Sequence, residues 1–500
     1  MICVYPIVVF VITWPLLQQL TSSVIGMVNV DLIDTVSLRS FDQEIGFWPF
    51  SYPFTNLQPN KIDAYSFLLF RSLGFPLADN LWWFCILTLN GYAAHFMGHS
   101  IKGSFRDGLS CGIFFLFSET ILRESTLHHA PQILVMWFPL YIGSVFWWKK
   151  KQNNLSLVGM TLSLLFCGLS YWYYALFLFI ASMGLLATDT YKAILSTAIL
   201  VVVCLIPFAL TVMHTPIVDV PNPVLSSNSW FFTALPADKS SRFPIVLIVF
   251  CLVRHQQILE KRIAFWCIGI AVLFMLFSIN GNLSEQVSLI ANSQKNVPIL
   301  SRLHWPERWS ILLHIGGAIL AAQASWRWII AILLEQIVFS ANLPIPTTPT
   351  TSLSCLKQLT QVDGPVLMLP METSVNLAGM YHRIHEQSVH NPFVLPPGHT
   401  PPSEWIHSPL TSFDIPTAEQ IHALGIAAVF IDKTPWTQLS KGQINTITYK
   451  MTQELGTPQD IGCAYVWSKK PLILEETEYI IAPPSGTKLY SFDNFWIFPP

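Results

Sequence analysis

Charged residues are scarce in this chain. Only 11% of its 500 residues are Asp, Glu, Lys or Arg, whereas 52% are hydrophobic, and an average soluble protein carries about 25% charged residues. So little charge cannot cover the surface of a soluble globule of this size. The composition therefore predicts an integral membrane protein.

The chain also lacks an excess of basic residues. Its formal net charge is -2, and nucleic-acid binding requires clustered Lys and Arg side chains that neutralise phosphates. The sequence has no glycine-rich phosphate loop, no dinucleotide fingerprint and no GxSxG motif. These absences argue against nucleic acid as a partner and give no support to cytoplasmic ATP chemistry.

Metal-ligand spacing is missing as well. The nine cysteines form no CxxC pair and no Cys/His zinc spacing, so no metal site and no cofactor are predicted, and support for a divalent cation is weak. Seven cysteines lie in apolar runs, where a thiol behaves as a small hydrophobe. The other two, Cys355 and Cys463, lie in the polar C-terminal part and could form a disulfide if that part is outside the cytoplasm.

Hydrophobic runs close to the ~20 residues that cross a bilayer recur up to residue 341. They predict about eleven spanning helices, at approximately 2–20, 81–98, 109–121, 131–148, 155–170, 171–187, 193–213, 243–254, 263–279, 308–324 and 328–341. The first run has no basic segment before it and no small-residue cleavage site after it, so it is expected to stay as the first span. A shorter run, Ala64 to Phe70, predicts a re-entrant or surface helix.

Lys and Arg residues occupy alternate short loops, and this alternation predicts the orientation of the spans. The basic positions are Lys102, Arg106, Lys149 to Lys151, Lys192, Arg254, Lys261, Arg262 and Arg327. Because positive loops stay in the cytosol, the N-terminus is predicted inside, and the long loops 21–78, 214–242 and 280–307 outside. With eleven crossings of the cytoplasmic membrane, residues 342–500 are also outside.

A proline-rich segment, Leu343 to Pro349, separates a membrane domain, 1–341, from an extracytoplasmic domain, 342–500. Beyond it, Pro365 to Pro370 and Ile426 to Ile431 have the pattern of short buried strands, and Thr417 to Leu424 that of a capped helix. The predicted fold class is an α-helical polytopic membrane domain followed by a small C-terminal α/β domain.

The first outer loop carries carboxylates soon after the first span: Asp31 and Asp34, then Asp42 and Glu44. A carboxylate at a membrane face, partly desolvated by headgroups, can act as a general base toward a hydroxyl. The alternative is a solvated acidic loop. Spacing alone does not choose between Asp31 and Asp34 as the base.

A short outer turn between two spans contains His128, His129 and Gln132, with Arg123 and Glu124 upstream. Ionisable groups at the hydrocarbon boundary are costly and tend to have a function. The turn could therefore line an aqueous substrate cavity, or the histidines could cap helix ends. No third ligand at a recognisable spacing suggests a metal.

Arg302 and Arg308 lie in a segment that immediately precedes a late span. Arg308 is predicted at headgroup level, where a guanidinium can form paired hydrogen bonds with a phosphate, including that of a lipid-linked substrate. Snorkelling to ordinary lipid headgroups explains the same position equally well.

In their order along the chain, these features resemble those of bacterial GT-C glycosyltransferase-like membrane proteins. The matching elements are the acidic first outer loop with Asp31 and Asp34, Phe75 to Asn80 entering the second span, His129 to Gln132 followed by Trp137 to Leu140, Arg302 to Arg308, a strand ending at Pro370, a loop from Tyr381 to Pro392, and Leu424 to Phe430.

The resemblance implies an enzyme that transfers a sugar from a polyprenyl-phosphate donor to an extracytoplasmic acceptor. In such a protein Asp31 or Asp34 would be the general base, Arg308 would bind the lipid phosphate, and His129 and Gln132 would line the cavity. The first loop lacks an adjacent acidic pair, which leaves the base unassigned. The alternative is a noncatalytic membrane protein of envelope assembly, acting as a scaffold or handling lipid-linked glycans.

Overall fold

The computed structural model of the protein describes most of the chain. The described residues are 3–27, 62–185, 191–214, 243–254, 256, 260–277, 306–340, 342–350, 354–369, 381, 384–385, 387–391, 406–407, 415–434, 437 and 439–474. Three predicted site residues, Asp31, Asp34 and Arg302, lie outside the described residues.

Helices form nearly all of the described chain up to residue 340, and most of them coincide with predicted spans. They are α1 Val4–Ile12, α2 Trp14–Leu17, α3 Ile62–Phe67, α4 Leu77–Lys102, α5 Phe105–Leu116, α6 Glu119–Thr126, α7 Trp137–Lys151, α8 Asn154–Ser170, α9 Trp172–Met183, α10 Tyr191–His214, α11 Ile245–Arg254, α12 Lys261–Phe277, α13 Ser310–Ala321 and α14 Trp326–Phe339. Among the described residues, no helix is both long enough and apolar enough to cross a membrane.

Two helix glycines let α1 pack closely against α4 and α5. A Cβ atom at Gly91 of α4 would lie 2.6 Å from Cδ1 of Tyr5, and one at Gly112 of α5 would lie 2.6 Å from Cζ of Tyr5. The Tyr5 hydroxyl enters this gap and forms a 2.9 Å hydrogen bond with Nδ1 of His95. Small residues are therefore required where the three helices meet.

Helix α6 is polar and yet every residue in it is buried. Its side chains find partners far along the chain: Glu119 accepts hydrogen bonds from Ser340 (3.0 Å) and Asn342, and Thr120 is 2.8 Å from the hydroxyl of Ser310. Burial of polar groups is tolerated when they are hydrogen-bonded in this way. The predicted span 109–121 is thus divided between α5 and this buried helix.

The segment that follows α2 is paired with the proline-rich linker. Strand β1 (Ser23–Ile25) pairs antiparallel with β2 (Thr347–Pro349), and the Thr348 hydroxyl donates a 2.8 Å hydrogen bond to the carbonyl of Gly26. The next amide, that of Met27, donates to the carbonyl of Thr126 at 2.7 Å. The start of the first loop is therefore fixed between the linker and the end of α6.

The C-terminal part is a small mixed α/β unit. Its strands are β3 Val366–Leu369, β4 His390–Asn391, β5 Ile406–His407, β6 Ala428–Asp432, β7 Gln459–Asp460 and β8 Ala464–Ser468, with helices α15 Ala418–Ala423 and α16 Lys441–Leu455. The main sheet has the order β3-β6-β8-β7, in which β3 and β6 are parallel and the other pairs antiparallel. Thr417 caps α15 in a capping box. The two predicted strands and the predicted capped helix are confirmed.

Cys355 and Cys463 form a disulfide, with their Cα atoms 6.0 Å apart, within the usual range for such bonds. Both cysteines pack against one apolar face of the sheet, which also includes Val24 of β1. The C-terminal unit therefore packs directly on the strand that leads into the first loop.

Candidate functional site

Several basic loops lie together at one end of the helical body. Nζ of Lys149, in the last turn of α7, lies 3.0 Å from a carboxylate oxygen of Glu260, and Nζ of Lys150 donates to the carbonyl of Ile101 at 3.2 Å. Lys102 lies 4.0 Å from Asp107. We call these residues the lysine end; they bring together three of the loops that the sequence assigns to one side.

The first turn of α4 lies at the other end of the body. Nδ2 of Asn80 donates to the carbonyls of Leu20 (2.8 Å) and Ser23 (2.7 Å), whereas the last turn of the same helix reaches the lysine end. Asn80 and Ile101, the α4 residues that make these contacts, are 21 positions apart, and a helix rises about 1.5 Å per residue, so the two contact points are about 32 Å apart.

His128 holds the strand β1 at this second end. Its Nδ1 lies 2.7 Å from the carbonyl oxygen of Ile25, and its Nε2 accepts a 3.3 Å hydrogen bond from the indole N–H of Trp83. Since an indole nitrogen only donates, Nε2 must be the acceptor and Nδ1 the donor. A carboxylate oxygen of Asp79 lies 3.8 Å from Nε2. The ring is fully buried, and these contacts position the start of the first loop.

The end of α6 places His129 over Glu124. His128 has a left-handed φ of 55°, its N–H donates to the carbonyl of Ser125, and the N–H of His129 donates to that of Glu124. This pattern is a Schellman motif, which ends a helix by turning the chain back on its last turn. The imidazole of His129 consequently lies beside the Glu124 carboxylate.

Glu124 lies between an arginine and a histidine. One carboxylate oxygen accepts hydrogen bonds from Arg123, whose Nε is 3.1 Å away, and the other meets Nδ1 of His129. Burial acts to raise the pKa of Glu124, but the charges and hydrogen bonds of Arg123 and His129 outweigh it and hold that pKa below its usual range. The carboxylate is therefore ionised although it is buried.

Arg308 lies against tyrosine rings. It belongs to the 3-10 turn Pro306–Trp309, is 8% exposed, and places its guanidinium carbon 5.3 Å from the ring centre of Tyr171 and 5.2 Å from that of Tyr173. A guanidinium over aromatic faces is stabilised by cation–π attraction. Arg308 is thus held in place at the junction of α8 and α9.

Gln132 connects the turn after α6 to Arg308. The Tyr174 hydroxyl donates a 3.1 Å hydrogen bond to the main-chain carbonyl of Gln132. The ring centres of Tyr174 and Tyr171 are 4.9 Å apart. We call Arg123, Glu124, His129, Tyr171, Tyr174 and Arg308 the α6 cluster. It contains one carboxylate and two arginines, besides the imidazole.

The structure brings together four of the predicted site residues: His128, His129, Gln132 and Arg308. Sequence reasoning gave no role to the Arg123–Glu124 pair or to Tyr171. The available signals were an adjacent Arg-Glu pair close before two histidines and the repeated tyrosines after α8, but similar charge pairs and aromatic rings are common near helix ends. Within the described part of the chain, no group of three or more His, Cys, Asp or Glu side chains could hold a metal ion.

Comparison with known proteins adds little to this geometry. No protein-family model and no curated protein sequence matches the chain. The chain is similar to a cryo-EM structure of a variant of the arabinofuranosyltransferase AftD from mycobacteria, with a TM-score of 0.41 and 12% identity over 87% of this chain. The match covers 36% of the length of that enzyme, and at this TM-score the likeness carries no argument about activity.

Proposed function

We propose that the protein is a membrane-embedded glycosyltransferase of the GT-C type, which transfers a sugar from a polyprenyl-phosphate donor to an extracytoplasmic acceptor. One observation carries the proposal: the basic loops lie at the lysine end, whereas the start of the first loop, with the α6 cluster beside it, lies about 32 Å away, near the other end of α4. The hydrocarbon core of a bilayer is about 30 Å thick, so the two ends fit its two faces.

Apolar side chains on the outside of the helices support a membrane location. They include Ile7, Phe10, Leu155, Leu162, Leu195, Ile199, Leu252, Val253, Ile330, Leu334 and Val338. A water-soluble protein rarely exposes apolar surface on this scale. A lipid bilayer is the partner that would cover it.

Two features support an extracytoplasmic location for the α6 cluster. Basic loops favour the cytosol, which puts the opposite end outside. The disulfide between Cys355 and Cys463 favours an oxidising compartment, and the unit that contains it packs on Val24, next to the first loop. Both arguments favour one external compartment for the C-terminal unit and the cluster.

The charges of the α6 cluster suit an anionic donor. The cluster contains two arginines, Arg123 and Arg308, and one carboxylate, Glu124, so its described residues have an excess of positive charge. Guanidinium groups bind phosphate oxygens through paired hydrogen bonds. We assign Arg308 and His129 to the donor phosphate, with Gln132 and His128 supporting the cavity and Arg302 as a further phosphate ligand.

Asp31 or Asp34 would supply the base. Asp31 follows Met27 by four residues, and the Met27 amide is bonded to Thr126 at the end of α6. Four residues of chain span at most about 14 Å, and the seven to Asp34 at most about 25 Å. In the transfer step the carboxylate takes the proton of the acceptor hydroxyl, the hydroxyl oxygen bonds to the anomeric carbon, and the bond to the donor phosphate breaks with its electron pair on the phosphate.

The test is the double variant D31N/D34N in the full chain. Purified protein in lipid nanodiscs is given a panel of radiolabelled polyprenyl-phosphate sugars and a glycan acceptor, and transferred label is counted. We expect transfer by the wild type and at least about a hundredfold less by the double variant, because general-base catalysis contributes that much or more. D42N, in the same loop, is the matched control and should retain transfer.

Transfer by D31N/D34N at the wild-type rate would remove both residues from the mechanism. If the wild type transfers no sugar from any donor, the proposed activity falls, and the noncatalytic role in envelope assembly takes its place.

A further inference from the structure

One face of α14 is apolar and exposed. Trp326, Ile330, Leu334 and Val338 follow one another at every fourth position and are between 39% and 69% exposed, and side chains four positions apart are neighbours on a helix surface. The 12 positions from Trp326 to Val338 span about 18 Å, whereas half of the hydrocarbon core of a bilayer is about 15 Å thick. This apolar stripe is therefore long enough to lie along the acyl chains of one leaflet.

The two ends of α14 have different surroundings. After its last turn, the Ser340 hydroxyl donates a hydrogen bond to Glu119 of the buried helix α6. At its start, the ring of Trp326 lies beside the guanidinium of Arg106, whose central carbon is 5.9 Å from the ring centre. Arg106 is in the first turn of α5, four residues after Lys102 of the lysine end. The apolar stripe therefore begins at the lysine end.

Exposed basic side chains surround this start. Lys102, Arg106 and Arg327 are all exposed. The carboxylate of Asp107 accepts a 2.5 Å hydrogen bond from the Ser104 hydroxyl and lies 4.0 Å from Nζ of Lys102. Three positive charges and one negative charge leave these residues with an excess of positive charge. We call Lys102, Arg106, Trp326 and Arg327 the α5–α14 corner.

The side chains of the α5–α14 corner suit a lipid phosphate. A guanidinium that lies over a ring is held by cation–π attraction and can still donate paired hydrogen bonds from its edge to phosphate oxygens. Tryptophan rings also favour the level of the lipid headgroups. The corner can therefore bind a phosphate at the point where the apolar stripe begins.

We infer that the α5–α14 corner and the apolar stripe form a binding site for one anionic phospholipid. The phosphate contacts Arg106 and Arg327, and an acyl chain lies along the stripe. A soluble phosphate would leave the stripe uncovered, and the amine of a zwitterionic lipid would lie close to like charges, which repel it. The inference rests on the membrane location in the proposed function and is independent of the transfer reaction.

The experiment measures lipid binding to the full-length protein in detergent by native mass spectrometry. The protein is titrated with phosphatidylglycerol or with phosphatidylethanolamine of the same acyl chains. The wild type should bind the first phosphatidylglycerol about tenfold more tightly than the first phosphatidylethanolamine, because each basic side chain near an anionic headgroup adds favourable energy. R106Q/R327Q should lose about this tenfold preference. Its thermal midpoint should stay near that of the wild type, since both arginines are exposed.

Three further variants separate a defined site from general attraction. K151Q/K192Q is the matched control: it removes two exposed charges from α7 and α10 and should bind phosphatidylglycerol within about twofold of the wild type. W326L keeps an apolar side chain but loses the ring beside Arg106, so it should bind phosphatidylglycerol about threefold more weakly. I330S/L334S shortens the apolar stripe and should weaken binding of both lipids.

The outcomes separate this inference from the proposed function. If the wild type binds neither lipid, the membrane location falls and takes both proposals with it. If the wild type binds both lipids equally, or R106Q/R327Q keeps the preference, or K151Q/K192Q loses as much, the proposed function stands and this inference is wrong. Displacement of phosphatidylglycerol by equimolar glycerol 3-phosphate would overturn the assignment to a lipid. Should R106Q/R327Q not fold, wild-type affinity of W326L for phosphatidylglycerol overturns the inference by itself.

Discussion

Replacing Gly112 by alanine tests how α1 packs on α4 and α5. The new Cβ would overlap the hydroxyl of Tyr5 and lie 2.6 Å from its Cζ and 2.7 Å from the carbonyl oxygen of Gly91. Neither neighbour has room to move, because Tyr5 is buried and the Gly91 carbonyl belongs to the backbone of α4. Such overpacking costs about 1–3 kcal/mol.

The same substitution breaks a buried hydrogen bond. In the wild type the Tyr5 hydroxyl lies 2.9 Å from Nδ1 of His95. Displacing Tyr5 breaks this hydrogen bond, and its loss costs about 1 kcal/mol in addition to the overpacking. Alanine regains about 1 kcal/mol over glycine in a helix interior. The net loss in the free energy of unfolding for G112A is therefore about 1–3 kcal/mol.

G269A is the matched control. Gly269 also lies within a helix, α12, but a Cβ there meets nothing within 4 Å, so the variant should gain up to about 1 kcal/mol. Thermal unfolding of both variants, followed by circular dichroism in one detergent, should place G112A below the wild type and G269A at or above it. Equal midpoints for the two variants would refute the packing of Tyr5 between α4 and α5. In a Y5A background, which removes the ring, G112A should cost less than in the wild type, and the close contact with the Gly91 carbonyl should account for the cost that remains.

Two further predictions concern the C-terminal unit. Reduction of the Cys355–Cys463 disulfide, or the variant C355A/C463A, should lower the free energy of unfolding by about 2–4 kcal/mol and so lower the thermal midpoint. The control is C111A, which removes a free buried thiol. A reductant should lower the midpoint of C111A by as much as that of the wild type. Burial raises the pKa of Asp432, although Tyr381 and Thr434 donate to its carboxylate. The folded state then keeps this proton to higher pH than the unfolded state, so stability falls as the pH rises above the ordinary range of an aspartate and through the raised pKa. D432N should remove that decline in urea unfolding of the full chain, and an unchanged pH dependence would show that another group causes it.

Local sequence patterns were sufficient for the C-terminal elements. Val366–Leu369 is a short apolar run between two prolines, Ala428–Asp432 begins with four apolar residues shortly after a glycine, and the capping box of Thr417 and Gln420 lies within four residues of chain. The information for these elements is contained in the segments themselves. They could therefore be predicted without knowledge of the rest of the fold.

Helix α6 could not be predicted in this way. Hydropathy joins its beginning to the preceding apolar run, and burial of Glu119 is stabilised by Ser340 and Asn342, which reach it from 221 and 223 residues away. No window along the sequence contains both partners. The division of the predicted span into α5 and α6 follows from these distant contacts.

The candidate site was predicted in part. The positions of the loops bring His129 and Arg308 to one end of the molecule, and the contacts through Gln132, Tyr174 and Tyr171 link them. The position of His129 beside Glu124 depends on a Schellman turn, which the residue types around His128 do not favour. The base at Asp31 or Asp34, and a contribution from Arg302, stay predictions.

The pairing of β1 with β2 affects when this end of the molecule can assemble. Gly26 and Thr348 are 322 residues apart, so a ribosome must complete all the intervening helices before the strand that receives Ser23–Ile25 exists. Contacts between such distant segments form late. A shortened chain that stops before 347 would lack the partner strand, whereas one that stops at 350 would keep it. Only the latter deletion isolates the contribution of the C-terminal unit.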